Sequence, residues 1–231
     1  MPESGALVQR HTELCVVAGL DRSSADPRQG FESLCNIDVD GEHVWVGVPS
    51  VAPVLARHDT PVVVSFYTRN TPYEEQARGL VESIERLDGV PYCVVGIESA
   101  GSWEANCSLK PSFILQCLQE LQRPVLWVDA DARLNARPAV PEAFDFAIHK
   151  YDGWECASGT VYFAYNERSV HLLERWIELS RLRPLIWDQM LLDQAWADCV
   201  RDGRLVTGWL PEPYTHIFDN PAVEAHRAAP W

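Results

Sequence analysis

The sequence predicts an α/β protein built on a mixed, mostly parallel sheet flanked by helices, and three observations carry that reading. From residue 61 onward, short apolar runs alternate with segments of helical periodicity. The runs are continuously apolar rather than alternating, as in strands covered on both faces. The helical segments each carry one apolar face, which is what a helix lying on a sheet requires.

Taken in order, "PVVVSFY" (61–67) is a short β-branched and aromatic strand opened by proline. "TPYEEQARGLVESIERLDG" follows, with Ala77, Leu80, Val81 and Ile84 at i, i+3, i+4 and i+7. Thr71 can cap this helix, Pro72 suits its first turn and Gly89 closes it. "YCVVGI" (92–97) is the next strand. Pro111 then opens a helix with Phe113, Ile114, Cys117, Leu118 and Leu121 on one face, which delivers the chain into the strand "PVLWV". Further strands are expected at 144–149, 160–164 and 204–210, with helices at 167–182 and 188–199 and a proline-rich tail. In residues 1–58, "ELCVVAG" and "HVWVGV" have strand composition and the stretch between them has turn composition. They are read as extra strands packed on a main domain of residues 59–231.

Composition narrows the partners. The 231 residues are 47% hydrophobic and contain no Pro/Gly/Ser-rich linker, so one sizeable core is expected. "MPESGALVQRH" lacks the basic-then-apolar pattern of a secretory signal. No apolar stretch approaches the ~18 residues of a membrane span. Seven cysteines without a C-x-x-C spacing suggest neither a disulfide framework nor a zinc site, and fit a reducing cytoplasm. A net charge of −14 disfavours a nucleic-acid partner, though not a modified base as a small acceptor.

The chemistry-bearing stretch is "PVLWVDADARL", in which an apolar strand runs into Asp129 and Asp131. Ligands of open α/β sheets bind beyond the carboxyl ends of the strands. Two carboxylates placed there repel each other unless a cation or donors compensate. A hard divalent ion, Mn²⁺ or Mg²⁺, takes oxygen ligands and keeps positions for substrate phosphates. Capping of the following turn is the structural alternative. With fifteen aspartates a chance pair is expected, and Asp38 and Asp40, read as a turn, supply one. A haloacid-dehalogenase phosphohydrolase would use Asp129 as nucleophile, but the fifth position of the motif is Arg133. A nucleotidyltransferase would need an early Gly-rich loop, and none is present.

"SLKPSFILQCLQELQRPVLWVDADARL" resembles the donor-binding core of GT-A-fold, Rossmann-like glycosyltransferases. "CASGTVYFAYNERSVHLLERW" is similar to their small-residue turn, strand and helix, and "WDQMLLDQAW" to the D-Q element of the retaining, glycogenin-like and lipopolysaccharide galactosyltransferase group. "PAVEAHR" resembles the stretch that supplies a late histidine ligand, although "HRAAPW" lacks the glycine and lysine of the glycogenin-like pattern. The resemblance implies a metal-dependent transferase that moves a sugar, UDP-sugars favoured, to an acceptor glycan, protein or small molecule. It implies Asp129, Asp131 and His226 as metal ligands, and Lys110 at the diphosphate or donor sugar. Thr68, Arg69 and Tyr73 fall where the nucleoside is held, and Ser158, Gly159 and Thr160 where the sugar is met. Asp188 and Gln189 would face the donor sugar beside the anomeric carbon, and an N-cap explains Asp188 otherwise. A sugar-binding relative without turnover is the other alternative. Trp127, Trp176 and Trp196 fit the core, whereas Trp154, Trp187 and Trp209 fall near loops, with Trp154 a candidate acceptor platform. Arg168, Arg175, Arg181 and Arg183 fit a solvated face.

Overall fold

The computed structural model describes residues 58–141, 143–151, 155–201 and 205–215, and the backbone of three N-terminal strands. Those strands, β1 (Cys15–Val16), β2 (Phe31–Val39) and β3 (Glu42–Pro49), form an antiparallel sheet of their own in the order β1-β3-β2. β2 occupies a stretch that composition reads as turn. Its signal is the period-two alternation of Cys35, Ile37 and Val39 with polar neighbours. Asp38 accordingly lies inside a strand, opposite His43, and not in a turn. β4 (His58–Asp59) pairs with β8 (Val140–Pro141) as a small two-stranded ribbon.

The main sheet contains β5 (Val62–Thr68), β6 (Tyr92–Ile97), β7 (Val125–Val128), β9 (Phe146–Tyr151), β10 (Glu155–Phe163) and β11 (Thr207–Trp209). Their order is β11-β9-β10-β7-β5-β6. The β5–β6, β5–β7 and β9–β11 pairs are parallel, while β10 pairs antiparallel with both β7 and β9. Every strand but β10 therefore points the same way, giving the expected mixed, mostly parallel sheet.

Both faces are covered, and the register shows why the strands read as unbroken apolar runs. Val62, Val64, Val125, Trp127, Phe146, Ile148, Val161 and Phe163 enter one core cluster. The residues between them, Val63, Leu126, Ala147 and Tyr162, enter the cluster on the other face. The first cluster lies under α3 (Lys110–Leu121), α4 (Glu167–Leu182) and α5 (Asp188–Arg201). The second lies under α1 (Pro72–Glu85) through Leu80 and Ile84. A one-turn helix, α2 (Trp103–Cys107), precedes α3 and has no counterpart in the sequence reading.

Local sequence explains the helix ends. The Thr71 side chain accepts from the Tyr73 N–H and caps α1. α1 stops at Glu85 with Arg86 as C-cap, and Gly89, at φ 69°, lies in the turn beyond the cap position expected for it. α4 is capped by Asn166, whose side chain accepts from Ser169 N. Asp145 ties the far end of the sheet together. Its carboxylate accepts from Asn166 Nδ2, Arg168 and the Val206 N–H, and its carbonyl accepts from Ser169 Oγ.

This topology fixes where a ligand belongs. From β5 the chain moves outward through α1 to β6, then crosses back to β7 on the other side of β5. The strand order thus reverses between β5 and β7, and a crevice opens beyond their carboxyl ends. Residues 68–73 lie on one side of it and residues 129–131 on the other.

Candidate active site

Asp129 follows β7 directly, and its N–H donates to the Gly159 carbonyl on β10 at 2.9 Å, which anchors the backbone. Residues two apart on a strand share a face. Trp127 can therefore reach Asp129, and its indole N–H donates to Asp129 Oδ1 at 2.8 Å. The Trp127 ring is itself wedged against Phe66 and Phe113, with centroids 5.2 and 6.0 Å away. The carboxylate is thus held by a side chain that the core holds in turn.

Lys110 sits at the start of α3 and is almost fully buried, 5% exposed. Its ammonium lies 3.1 Å from Asp129 Oδ1 and 2.8 Å from Asp188 Oδ2, and 5.4 Å above the Trp127 ring. Longer bonds reach Ser158 O and Oγ at 3.4 and 3.5 Å. Asp188 Oδ2 is buried, and the Lys110 ammonium 2.8 Å away compensates its charge. Burial alone would pull the Lys110 pKa down. The carboxylates of Asp129 and Asp188 outweigh that and hold it above the ordinary lysine value.

Gln189, next to Asp188 at the start of α5, is buried and accepts from the Ser158 N–H at 3.1 Å. This happens where β10 breaks register with β9, between Cys156 and Val161. The irregularity lets one backbone segment serve both partners: Gly159 O takes Asp129 N, and Ser158 N goes to Gln189. Glycine at 159 leaves room for close approach. A Cβ there would stand 3.2 Å from Asp129 Oδ2.

The structure thus brings together Lys110, Asp129, Ser158, Gly159, Asp188 and Gln189, from the starts of two helices and two neighbouring strands. Thr160 is buried next to Gly159 within β10, opposite Val128. Asp131 is exposed on the turn after Asp129, a turn pinned by Arg133 to the Gln76 carbonyl and side chain on α1. Thr68 is buried across the crevice, where its hydroxyl meets Thr71 Oγ1 at 2.9 Å. Arg69 pairs with Glu98 at 3.4 Å and Tyr73 is 40% exposed. His226 and Trp154 lie outside the described residues. Trp209 is half-buried at the last position of β11 against Trp196, and Trp187 is exposed.

Among the described residues no group of three or more His, Cys, Asp or Glu side chains stands close enough to hold a metal ion. The donor chemistry nonetheless fits a hard cation. Asp129 keeps its inner oxygen on Trp127 and Lys110, and its outer oxygen faces the gap left by the missing side chain at Gly159. Asp131 adds a second carboxylate two residues on. The two carboxylates of Asp129 and Asp188 against the single Lys110 ammonium leave this buried cluster one charge negative, a balance a nearby cation would offset.

Two features escape sequence reasoning. The Trp127 indole N–H is one, although the i, i+2 spacing on a strand signals it. Cys107, at the end of α2, is the other. Its thiol pKa is pushed up to about 12 by burial first and then by the Asp188 carboxylate, with Lys110 opposing. At pH 8, Cys107 is expected to alkylate with iodoacetamide roughly a hundredfold more slowly than an exposed thiol, thiolate depletion outweighing the higher intrinsic nucleophilicity. Asp188→Asn removes the first charge that holds the proton on and is expected to speed the reaction, read by peptide mass spectrometry. The sign for stability follows. The unfolded chain releases this proton first, so the stability tied to Cys107 is full below about pH 8.5 and falls as pH rises toward 12.

The solved structures that this chain resembles include two glycosyltransferases. One, a glycosyltransferase involved in the glycosylation of the major capsid of PBCV-1, is 14% identical with a TM-score of 0.45, over 64% of this chain and 82% of that one. The other, the WbbM bifunctional glycosyltransferase in its apo form, is 14% identical with a TM-score of 0.42, over 77% of this chain. The chain spans 43% of that protein's length. No family model matches the sequence, and no curated protein does either.

Proposed function

We propose that this chain is a metal-dependent glycosyltransferase that moves a sugar from a nucleotide-diphosphate sugar, UDP-sugars favoured, to an acceptor hydroxyl with retention. The observation that carries the reading is Asp129: a strand-end carboxylate at the switch point, anchored on one oxygen by Trp127 and Lys110 and uncovered on the other by Gly159. Asp129 and Asp131 would hold Mn²⁺ or Mg²⁺, with His226 as the further ligand. A bound divalent cation supplies charge neutralisation for the two donor phosphates and for the departing nucleotide.

The chain's own residues do the positioning. Lys110, sealed between Asp129 and Asp188, orients both carboxylates and limits their repulsion. Gln189 is fixed through its amide oxygen on Ser158 N and, with Asp188, would face the donor sugar. Thr68, Arg69 and Tyr73, across the crevice, receive the nucleoside. In the transfer, the bond from the anomeric carbon to phosphate oxygen breaks and the electron pair leaves with the nucleoside diphosphate. The acceptor oxygen forms the new bond and gives up its proton to solvent. The acceptor is a glycan, a protein or a small molecule. The described cysteines are free thiols, as a cytoplasmic enzyme would carry.

Incubation with UDP-glucose, UDP-galactose and their GDP counterparts, followed by chromatography for released nucleotide, tests the proposal. Metal-dependent release of nucleoside diphosphate from one donor is expected. Release of phosphate from a simple phosphomonoester, with no donor turned over, would overturn it.

A further inference from the structure

Between α4 and α5 the chain turns through "RLRPLIW", residues 181–187. Four large apolar side chains stand out of this one turn: Leu182 is 67% exposed, Leu185 84%, Ile186 41% and Trp187 42%. α4 ends at Leu182, Pro184 prevents its continuation, and Ile186 N–H donating to Arg183 O closes the turn. Leu182 also borders a groove in which Leu115 and Ile177 stand beside the charged Glu174, Glu178 and Arg181. A soluble surface seldom carries so many exposed apolar side chains in seven residues without a partner for them.

The two arginines within the turn single out that partner. Every other arginine among the described residues is engaged: Arg69, Arg78, Arg86, Arg168, Arg175 and Arg201 with carboxylates, and Arg123, Arg133 and Arg137 with carbonyl, amide or hydroxyl oxygens. Arg181 and Arg183 are exposed and have no such partner among the described residues. The nearby carboxylates on α4 are Glu174 and Glu178, and Glu178 is already taken by Arg175. Two unpaired guanidiniums thus accompany the apolar cluster in a chain whose net charge is −14.

From this juxtaposition we infer that the 181–187 turn docks the protein onto a lipid bilayer bearing anionic headgroups. Leu182, Leu185 and Ile186 enter the acyl boundary, Trp187 sits at the interface where its amphipathic ring is favoured, and Arg181 and Arg183 meet the headgroups. A second copy of the chain is the weaker fit, because a two-fold contact would set these arginines against themselves. The Debye length of about 8 Å at physiological ionic strength lets the headgroups meet the local pair of cations rather than the distant net charge. No helix among the described residues is long and apolar enough to cross a membrane, so this is attachment to a surface. The inference does not rest on the proposed reaction. Its consequence for that reaction is orientation, since the turn leads directly into Asp188 and Gln189.

Sedimentation of the full chain with phosphatidylcholine vesicles, with and without phosphatidylglycerol, tests it. Binding to the phosphatidylglycerol vesicles that weakens with salt is expected. Leu185→Ser with Ile186→Ser should lower that binding by about tenfold or more, and Arg181→Glu with Arg183→Glu should abolish the preference for anionic vesicles. All four side chains are exposed, so both variants should retain the parent's thermal unfolding. Absence of vesicle binding, binding that neither variant changes, or a dimer that Leu185→Ser with Ile186→Ser dissociates would each overturn it.

Discussion

Lys110→Met is expected to cost about 3–5 kcal/mol of stability, because it strands buried carboxylate charge that the ammonium now compensates. The Asp188 side of the triad carries most of this. Side-chain exposure is 6% at Lys110 and 2% at Asp188, against 39% at Asp129, where solvent screens the interaction. Adding Asp188→Asn to Lys110→Met should recover part of the loss by removing the uncompensated charge, a cycle that urea unfolding can close. The pH dependence has a definite sign. The folded-state pKa of Lys110 is raised, so its contribution is complete below the ordinary lysine value of about 10.4 and is lost only as pH climbs beyond it. The gap between parent and Lys110→Met should therefore stay constant from about pH 6 to 9. A single variant less than about 1 kcal/mol below the parent would mean that the pair is not the compensated charge cluster described above.

Asp131→Asn separates chemistry from folding. Asp131 is exposed, so its replacement should leave stability within about 1 kcal/mol. Loss of a carboxylate from the proposed cation site should nonetheless reduce donor turnover by at least about 100-fold and raise the metal concentration needed for half-activity. Asp129→Asn should lower turnover as strongly and also cost stability, because it disturbs Trp127 and Lys110 together. Parallel metal titrations of the two variants, each with its unfolding curve, distinguish these patterns. Equal turnover in Asp131→Asn and the parent would remove Asp131 from the mechanism.

Much of the fold was legible because both faces of the main sheet are buried. "VVV" at 62–64 and "VLWV" at 125–128 carry the signal of covered strands, and the α4 boundaries at 167 and 182 follow from Asn166 capping and Pro184. β2 was missed because the turn-rich composition around it masked a period-two pattern. α2 was missed because five residues are too few to show helical periodicity. At the site, the strand-end position of Asp129 could be read from the apolar run before it. The convergence of Lys110, Ser158 and Gln189 could not, since it depends on pairing between β7 and β10 and on the irregularity in β10, which are long-range contacts. Lys110 shows the limit most clearly. The sequence resemblance puts it at the donor diphosphate or sugar, and nothing in the sequence near it shows that packing on Trp127 buries it between Asp129 and Asp188.

The most direct test of the central claim is thermal unfolding of the parent and Asp131→Asn with UDP and GDP, each with and without Mn²⁺. A ligand at about 100-fold its dissociation constant adds about 2.7 kcal/mol, which is readily seen as a shift in Tm. A shift with one nucleotide that requires both Mn²⁺ and Asp131 is the predicted result. No shift with either nucleotide, from parent protein that unfolds cooperatively, would contradict the nucleotide-sugar site.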